Sequence, residues 1–267
     1  MGIKITETLF PGLLYVANWI TNGPEAFPEI KNSKLVFKII YSGLAKETYG
    51  KDVHIYLSKH GMAPFYFTDF HLKFPHLPHD MVPLETYHVM EYLPPPSGTS
   101  VGWITLHDFK QKYPEEAARS KYGIAKALEA IINMLQLGHY VHGDLRMNNV
   151  LICVAEIKNG NPTCIVQPRP NTQVPYLKVI DFDWAGTADQ VRYPLQRNPE
   201  IWWPGHDGMP ISTNHDKEMI YHWLSLWPSL DGDKPIQEPT KEMQAIFGES
   251  GSLTKKPLSS MKVVFGH

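Results

Sequence analysis

Between residues 116 and 137 apolar side chains recur at steps of three and four, with Ile124, Leu128, Ile131, Ile132 and Leu135 on one face. That spacing matches the turn of an α-helix and requires a partner surface along its length. Gly138 follows as a stop signal. The chain must therefore build its core around a long buried helix. The stretch that leaves this helix, residues 140–152, reads YVHGDLRMNNVLI. It is either a plain strand–turn–strand, because turns favour Gly, Asn and Asp for backbone reasons alone, or a loop that carries chemistry. The rest of the chain decides between the two.

Around that helix the signals alternate between strand and helix. KLVFKII at 34–40 and HVMEYL at 88–93 are rich in β-branched and aromatic residues and predict strands. Residues 45–60 place Val53, Tyr56 and Leu57 at helical spacing, with Gly61 as the cap. PPPSG at 94–98 ends a strand sharply and marks a boundary. Thr105 is a candidate cap for a helix entered at ITLHDF, 104–109. Apolar runs at 150–155 and 163–166 flank the turn signal KNGNP, and YLKVIDF at 176–182 predicts a further strand. Met219, Ile220, Trp223, Leu224 and Leu226 predict a helix over 216–227, capped by Thr213 or Asn214. From 228 onward Pro, Gly, Ser and Lys dominate, which predicts a loosely ordered tail.

Composition removes several classes. The 267 residues, 43% apolar and 19% charged, suit one large domain or two small lobes with a buried core. The net charge is −2 and no dense basic tract occurs, so nucleic acid is not an expected partner. No apolar run approaches the roughly 18 residues of a membrane span. Cys153 and Cys164 are too few for a disulfide framework and are expected as reduced core thiols, in keeping with a cytoplasmic or nuclear protein without a secretory signal. Gly2 with Thr6 fits the loose myristoylation pattern by chance, since no basic cluster follows. The thirteen histidines are scattered and no HExxH or paired Cys/His spacing appears, so a transition-metal site is not expected.

Phosphoryl transfer asks little covalent chemistry of a protein. It asks for positioning, a divalent cation and charge neutralisation. The parts are a carboxylate near the acceptor hydroxyl, an amide and a carboxylate on the metal, and a cation on the phosphates. Asp144 and Asn149 supply a D-x-x-x-x-N spacing, and Asp181 closes the apolar run YLKVIDF. Lys38 lies inside LVFKII, where an inward-facing lysine needs an anion. The plain alternative is a solvent-facing strand lysine beside Lys34. Asp183 is either a second acidic ligand or a surface residue. Trp202 and Trp203 read as packing or a groove wall rather than a cofactor site.

VHGDLRMNNVLI is similar to the catalytic loop of the protein-kinase-like superfamily, H-[RG]-D-L-x-x-x-N, in the HGD form of its aminoglycoside-phosphotransferase-like and atypical branches. VIDFDWAG resembles the DFG segment and LVFK the strand of the phosphate lysine. YHVMEYLPPPSG resembles the last strand and hinge of the N-terminal lobe. The stretch from DFDWAG through RNPEIWWP to ISTNHDKEMIYHWL resembles a set of fungal kinase-like proteins. The resemblance runs from about residue 34 to 227.

It implies a two-lobed α+β fold, with a β-rich N-lobe over 1–92, a hinge over 93–98, a mainly helical C-lobe over 99–230 and a tail over 231–267. ATP and Mg²⁺ are the implied cofactors, and a hydroxyl acceptor, protein Ser/Thr first, is the implied partner. The alternatives are a small-molecule kinase of aminoglycoside or choline type and a catalytically weak pseudokinase scaffold. By the resemblance, Asp144 orients the hydroxyl, Asn149 and Asp181 hold Mg²⁺, Lys38 meets the α- and β-phosphates, and Arg146 steadies the γ-phosphate. His142 braces the loop and Asp216 holds it from a late helix. Met90 is the gatekeeper, and Glu91 and Leu93 meet the adenine. Asp52, or else Glu47, would pair with Lys38.

The chain also departs from the pattern. No G-x-G-x-x-G precedes Lys38, and Gly23 is the nearest glycine before it. Gly143 stands where regulated protein kinases carry an arginine, and no A-P-E follows Asp181. About 30 residues separate Asn149 from Asp181, where most protein kinases have roughly a dozen.

Overall fold

The computed structural model describes residues 3–10, 14–19, 34–41, 49–71, 85–97, 100–159 and 161–227. Gly2, Gly23, Glu47 and the tail over 231–267 fall outside them. The architecture is mixed, with antiparallel sheets and four α-helices among the described residues. No helix among them is long and apolar enough to cross a membrane.

The first sheet has five strands: β1 (Ile3–Phe10), β2 (Leu14–Trp19), β3 (Lys34–Tyr41), β4 (Tyr66–His71) and β5 (Glu85–Glu91), in the order β1-β2-β3-β5-β4. Strand residues alternate between faces, and β3 uses this fully. Leu35 and Phe37 join Ala17 and Val89 in a small core on one side. Val36 faces the main core on the other side, and Lys38 shares its parity. The alternation therefore aims Lys38 inward. β4 is absent from the sequence reading, although its Tyr and Phe residues after Pro64 suit a strand.

Helix α1 (Lys51–Lys59) is shorter than the expected 45–60. Val53 and Leu57 are buried as expected, and so is His54. Gly61, at φ 67°, closes the helix end with its N–H on Ser58 O at 2.9 Å. Both ends of α1 are tied to the second half of the chain. At the start, Gly50 N–H donates to Phe182 O at 2.7 Å. A side chain at Gly50 would have its Cβ 2.5 Å from Ala185 O, so only glycine allows this approach. In its middle, His54 stacks on Phe182 with centroids 4.4 Å apart. Beyond its end, Arg169 donates to His60 O and Val179 N–H donates to Met62 O at 2.8 Å.

The second sheet joins β6 (Val101–Thr105), β8 (Val150–Asn159), β9 (Asn161–Val166) and β10 (Leu177–Val179), with β8 paired to all three others. The hairpin around KNGNP is β8–β9. The strand expected over 176–182 ends at Val179, because Asp181 takes a left-handed φ of 67° that a strand cannot continue. Helix α2 (Leu106–Lys112) is capped by Thr105, whose hydroxyl accepts from Asp108 N–H. Helix α3 (Pro114–Leu137) buries the full predicted stripe and ends at Gly138. Proline at its first position loses nothing there, since that N–H has no helical partner. Asn214 stands at the N-cap position of helix α4 (His215–Ser225), one of the two caps expected, but its side chain makes no cap bond. Two short strands, β7 (Tyr140–Val141) and β11 (Gly186–Thr187), pair with each other. One core runs through α1, α3, α4, β8 and β10. The segment after β11 adds Ala188, Tyr193 and Ile211 to Val141 in a separate cluster.

His54 gives this core a pH signature. It is fully buried, and burial first, with the charges of His88, Lys38 and His142, depresses its pKa from 6.5 to about 3. As the pH falls below 6.5 the unfolded chain takes up this proton and the folded chain does not. Stability from this residue is therefore complete above pH 6.5 and declines by about 1.4 kcal/mol per pH unit down to about pH 3. Urea titrations of His54→Phe against wild type between pH 7 and pH 5 should show the variant's stability falling less steeply, by one proton's worth. Equal slopes would mean that His54 takes up its proton in the fold as it does in the unfolded chain.

Candidate functional site

The loop between β7 and β8 is held from beneath. Asp216, buried on the first turn of α4, accepts from His142 N–H at 2.6 Å and Gly143 N–H at 2.9 Å. Trp223, two turns further on, donates its indole N–H to Leu145 O at 3.1 Å. His142 is fully buried and braces the loop from inside. Its Nε2–H donates to Ile180 O at 3.1 Å, and its Nδ1 accepts from Asp144 N–H at 3.3 Å. Burial keeps this imidazole neutral, since it lowers the pKa more than Asp216 and Asp181 raise it. Gly143 has φ 80°, and a Cβ there would lie 2.9 Å from Trp184 O and from Ile211 Cδ1. Neither arginine nor any other side chain fits. His142 and Asp216 thus occupy the positions expected of them.

Asp144, 6% exposed, emerges from this frame. Arg146 grips it with two hydrogen bonds, one from Nε to Oδ1 and one of 2.7 Å from the terminal nitrogen to Oδ2. Asn149 donates its amide to Asp144 O and to Asp144 Oδ2, both at 2.9 Å. The short 3₁₀ turn at Met147–Asn149 brings the two ends of the D-x-x-x-x-N spacing together. Burial raises the Asp144 pKa despite the arginine. Arg146 itself lies over the Trp203 ring at 5.5 Å, which makes Trp203 a wall beside the loop.

Across from Asp144 the chain turns at Asp181, and its left-handed φ is a strained conformation for a non-glycine residue. Lys38 reaches this turn from β3. Its ammonium lies 2.6 Å from Asp181 Oδ1 and 2.5 Å from Asp183 Oδ1. Burial alone would lower the Lys38 pKa, but the two carboxylates outweigh it and raise it. The acids are pushed apart. Burial acts to raise Asp181, and Lys38 more than reverses it, so its pKa falls. Burial, and the charge of Asp181 beside it, leave Asp183 raised.

These groups close one end of a cavity of about 430 Å³. Lys38, Asn149, Asp181 and Asp183 form its polar end, while Leu14, Val36, Met90, Leu93, Leu151 and Ile180 give it apolar walls. Lys38, Leu93, Asn149 and Asp181 thus border one space, with Asp144 bonded to Asn149 and Arg146 in turn to Asp144. Two expected residues behave differently. Glu91 borders the cavity, but its carboxylate accepts from Lys178 Nζ at 2.7 Å and Phe65 N–H at 2.9 Å, so that group is committed elsewhere. Asp52 is exposed on the first turn of α1 and is not the partner of Lys38; Asp181 and Asp183 hold that amine instead.

Sequence reasoning missed three side chains here. Tyr49 lines the cavity with Lys38 Nζ 5.5 Å above its ring. His54 accepts the Tyr49 hydroxyl at 2.6 Å and donates to Pro64 O at 2.9 Å. Lys178 is 6% exposed and sits over Trp103 at 5.2 Å while pairing with Glu91. The signal for Lys178 was a lysine inside the apolar run YLKVI, the same kind that points to Lys38. Cys153 and Cys164 are free, buried thiols, as expected, and burial pushes Cys164 up to about 12.

As a cation site, the polar end offers hard oxygen donors, the Asp181 carboxylate and the Asn149 carbonyl oxygen, since the Asn149 nitrogen serves Asp144. Among the described residues no three His, Cys, Asp or Glu side chains converge on a metal. A cation here would complete its shell with water and phosphate oxygens, which is the habit of Mg²⁺. No protein-family model matches the chain, and no curated protein matches it.

The weight carried by Asp216 can be measured. Asp216→Ala leaves two buried N–H groups unpaired and should lower stability by on the order of 3 kcal/mol in urea unfolding. A loss below about 1 kcal/mol would mean that solvent replaces the carboxylate and that the loop is held from elsewhere.

Proposed function

We propose that the chain is an ATP- and Mg²⁺-dependent phosphotransferase of protein-kinase-like architecture, acting on a hydroxyl acceptor, with protein Ser/Thr favoured. In this reading residues 1–92 form the small lobe, 93–98 the hinge and 99–230 the larger lobe, in the cytoplasm or nucleus. The observation that carries it is the two-ended cavity, with apolar walls leading to Lys38, Asp181 and Asn149, the last bonded to Asp144. An apolar slot takes a flat base, and a lysine and a cation take phosphates.

Each residue then has one task. Leu14, Val36, Leu151 and Ile180 exclude water around the base. Lys38 draws in the α- and β-phosphates. Asp181 and the Asn149 carbonyl oxygen hold the cation. Bound Mg²⁺ neutralises charge that builds on the phosphate oxygens. Asp144 accepts a hydrogen bond from the acceptor hydroxyl and orients it for in-line attack. To do so it must loosen its bidentate hold on Arg146, whose guanidinium is then free to meet the γ-phosphate.

That hold also favours a second reading, a module that binds nucleotide without turnover. The two separate cleanly. Calorimetry with ATP should show Mg²⁺-dependent binding by wild type, weakened at least about tenfold in Asp181→Asn, which is 1.4 kcal/mol. Asp144→Asn should keep binding and lose turnover by about two orders of magnitude or more. Binding in both, with no turnover by wild type on peptide, sugar, choline or aminoglycoside acceptors, supports the binding module. No binding by folded wild type at millimolar ATP overturns both readings.

A further inference from the structure

Resting on the nucleotide reading, we infer that Tyr49 positions Lys38 when Asp181 is committed to a cation. Lys38 is held here by Asp181, Asp183 and the Tyr49 ring. A carboxylate that ligates a cation holds an ammonium less firmly, since the two positive charges repel. The helix behind β3 offers no replacement. Its acidic residue in the first turn is Asp52, which is exposed. Among the described residues the contacts that remain are Asp183 and the aromatic face, and a cation over such a face is attracted by the ring's negative quadrupole.

The ring is built to stay where it is. Tyr49 is 7% exposed and stacks on His88 with centroids 4.1 Å apart. Phe182 meets it edge-on at 6.3 Å. Its hydroxyl bond to His54 has a fixed direction. Pro64 O can only accept, so His54 Nε2 carries the hydrogen and Nδ1 receives the Tyr49 O–H. Thus the phenol is anchored at its oxygen, at one face and at one edge, and the tie of α1 to Phe182 fixes the frame around it. A neutral anchor also suits the charge balance. A carboxylate in this place would add a negative charge beside a triphosphate, and the ring adds none. Tyr49 touches neither cation nor phosphate in this scheme. It is a positioning residue that acts through Lys38.

A double-mutant cycle tests this. Binding of Mg²⁺ with a non-hydrolysable ATP analogue is measured by calorimetry for wild type, Tyr49→Phe, Tyr49→Leu, Lys38→Ala and Tyr49→Leu/Lys38→Ala. Tyr49→Leu should weaken binding about tenfold, and Tyr49→Phe, which keeps the ring, less than about threefold. In the Lys38→Ala background, Tyr49→Leu should add less than about twofold. Additive losses, or equal losses for Phe and Leu, overturn the role while leaving the nucleotide reading intact. Absence of binding in wild type overturns both. A second measurement needs no variant at the ring. In wild type the Lys38 ε-methylene signals should be shifted upfield by the Tyr49 ring current and stay so when the analogue and Mg²⁺ are bound. Their return to ordinary positions on binding would overturn the role.

Discussion

One ammonium group joins parts of the chain that are 143 residues apart. Lys38 Nζ reaches from β3 to the turn at Asp181 and Asp183, and that span sets much of what surrounds it. It fixes which face of β3 looks toward the cavity. It sits opposite the point where β10 must stop and the backbone must turn left-handed. It is also why two carboxylates can lie side by side so near an apolar slot. Without a positive charge between them, burial and mutual repulsion would protonate at least one. Asp183 still feels both effects.

A second constraint works from below. Asp216 gathers two consecutive amides of the loop between β7 and β8, and His142 passes that order on to Ile180. The two sides of the cavity floor are therefore cross-braced by a neutral imidazole rather than by salt bridges alone. Asp144 and Asn149 lie on this brace and bond to each other.

The fold was legible where periodicity was strong. The stripe on α3 is visible from its spacing alone; LVFKII reads as a strand, but the sequence leaves Lys38 either inward or solvent-facing, and packing decides. Acids at the ends of apolar runs pointed to Asp144 and Asp181 for the same reason. Polar side chains whose direction depends on tertiary packing were not legible. Glu91 follows the apolar run HVM at the expected edge, yet its carboxylate turns to Lys178, a residue 87 positions later. Asp52 has a favourable place in sequence, but α1 begins only at Lys51 and its first turn leaves that acid in solvent. Tyr49 and His54 carry no sequence signal because nothing in a linear pattern announces a hydrogen bond between a buried phenol and a buried imidazole. The β1–β2 pair and β4 carry weak local signals and depend on neighbours for their register.

The short stretch Trp184–Ala185 lies between two glycines. Trp184 presses on Gly143 and Ala185 on Gly50, each too closely for a β-carbon. Ninety-three residues of sequence separate those glycines, yet both answer to the same dipeptide. Mutations at 50, 143, 184 and 185 should therefore not be independent in their effects. A lineage drifting from this sequence would have to change such positions in concert, so covariation among them would trace the wedge that keeps α1 and the loop at Gly143 at a fixed separation.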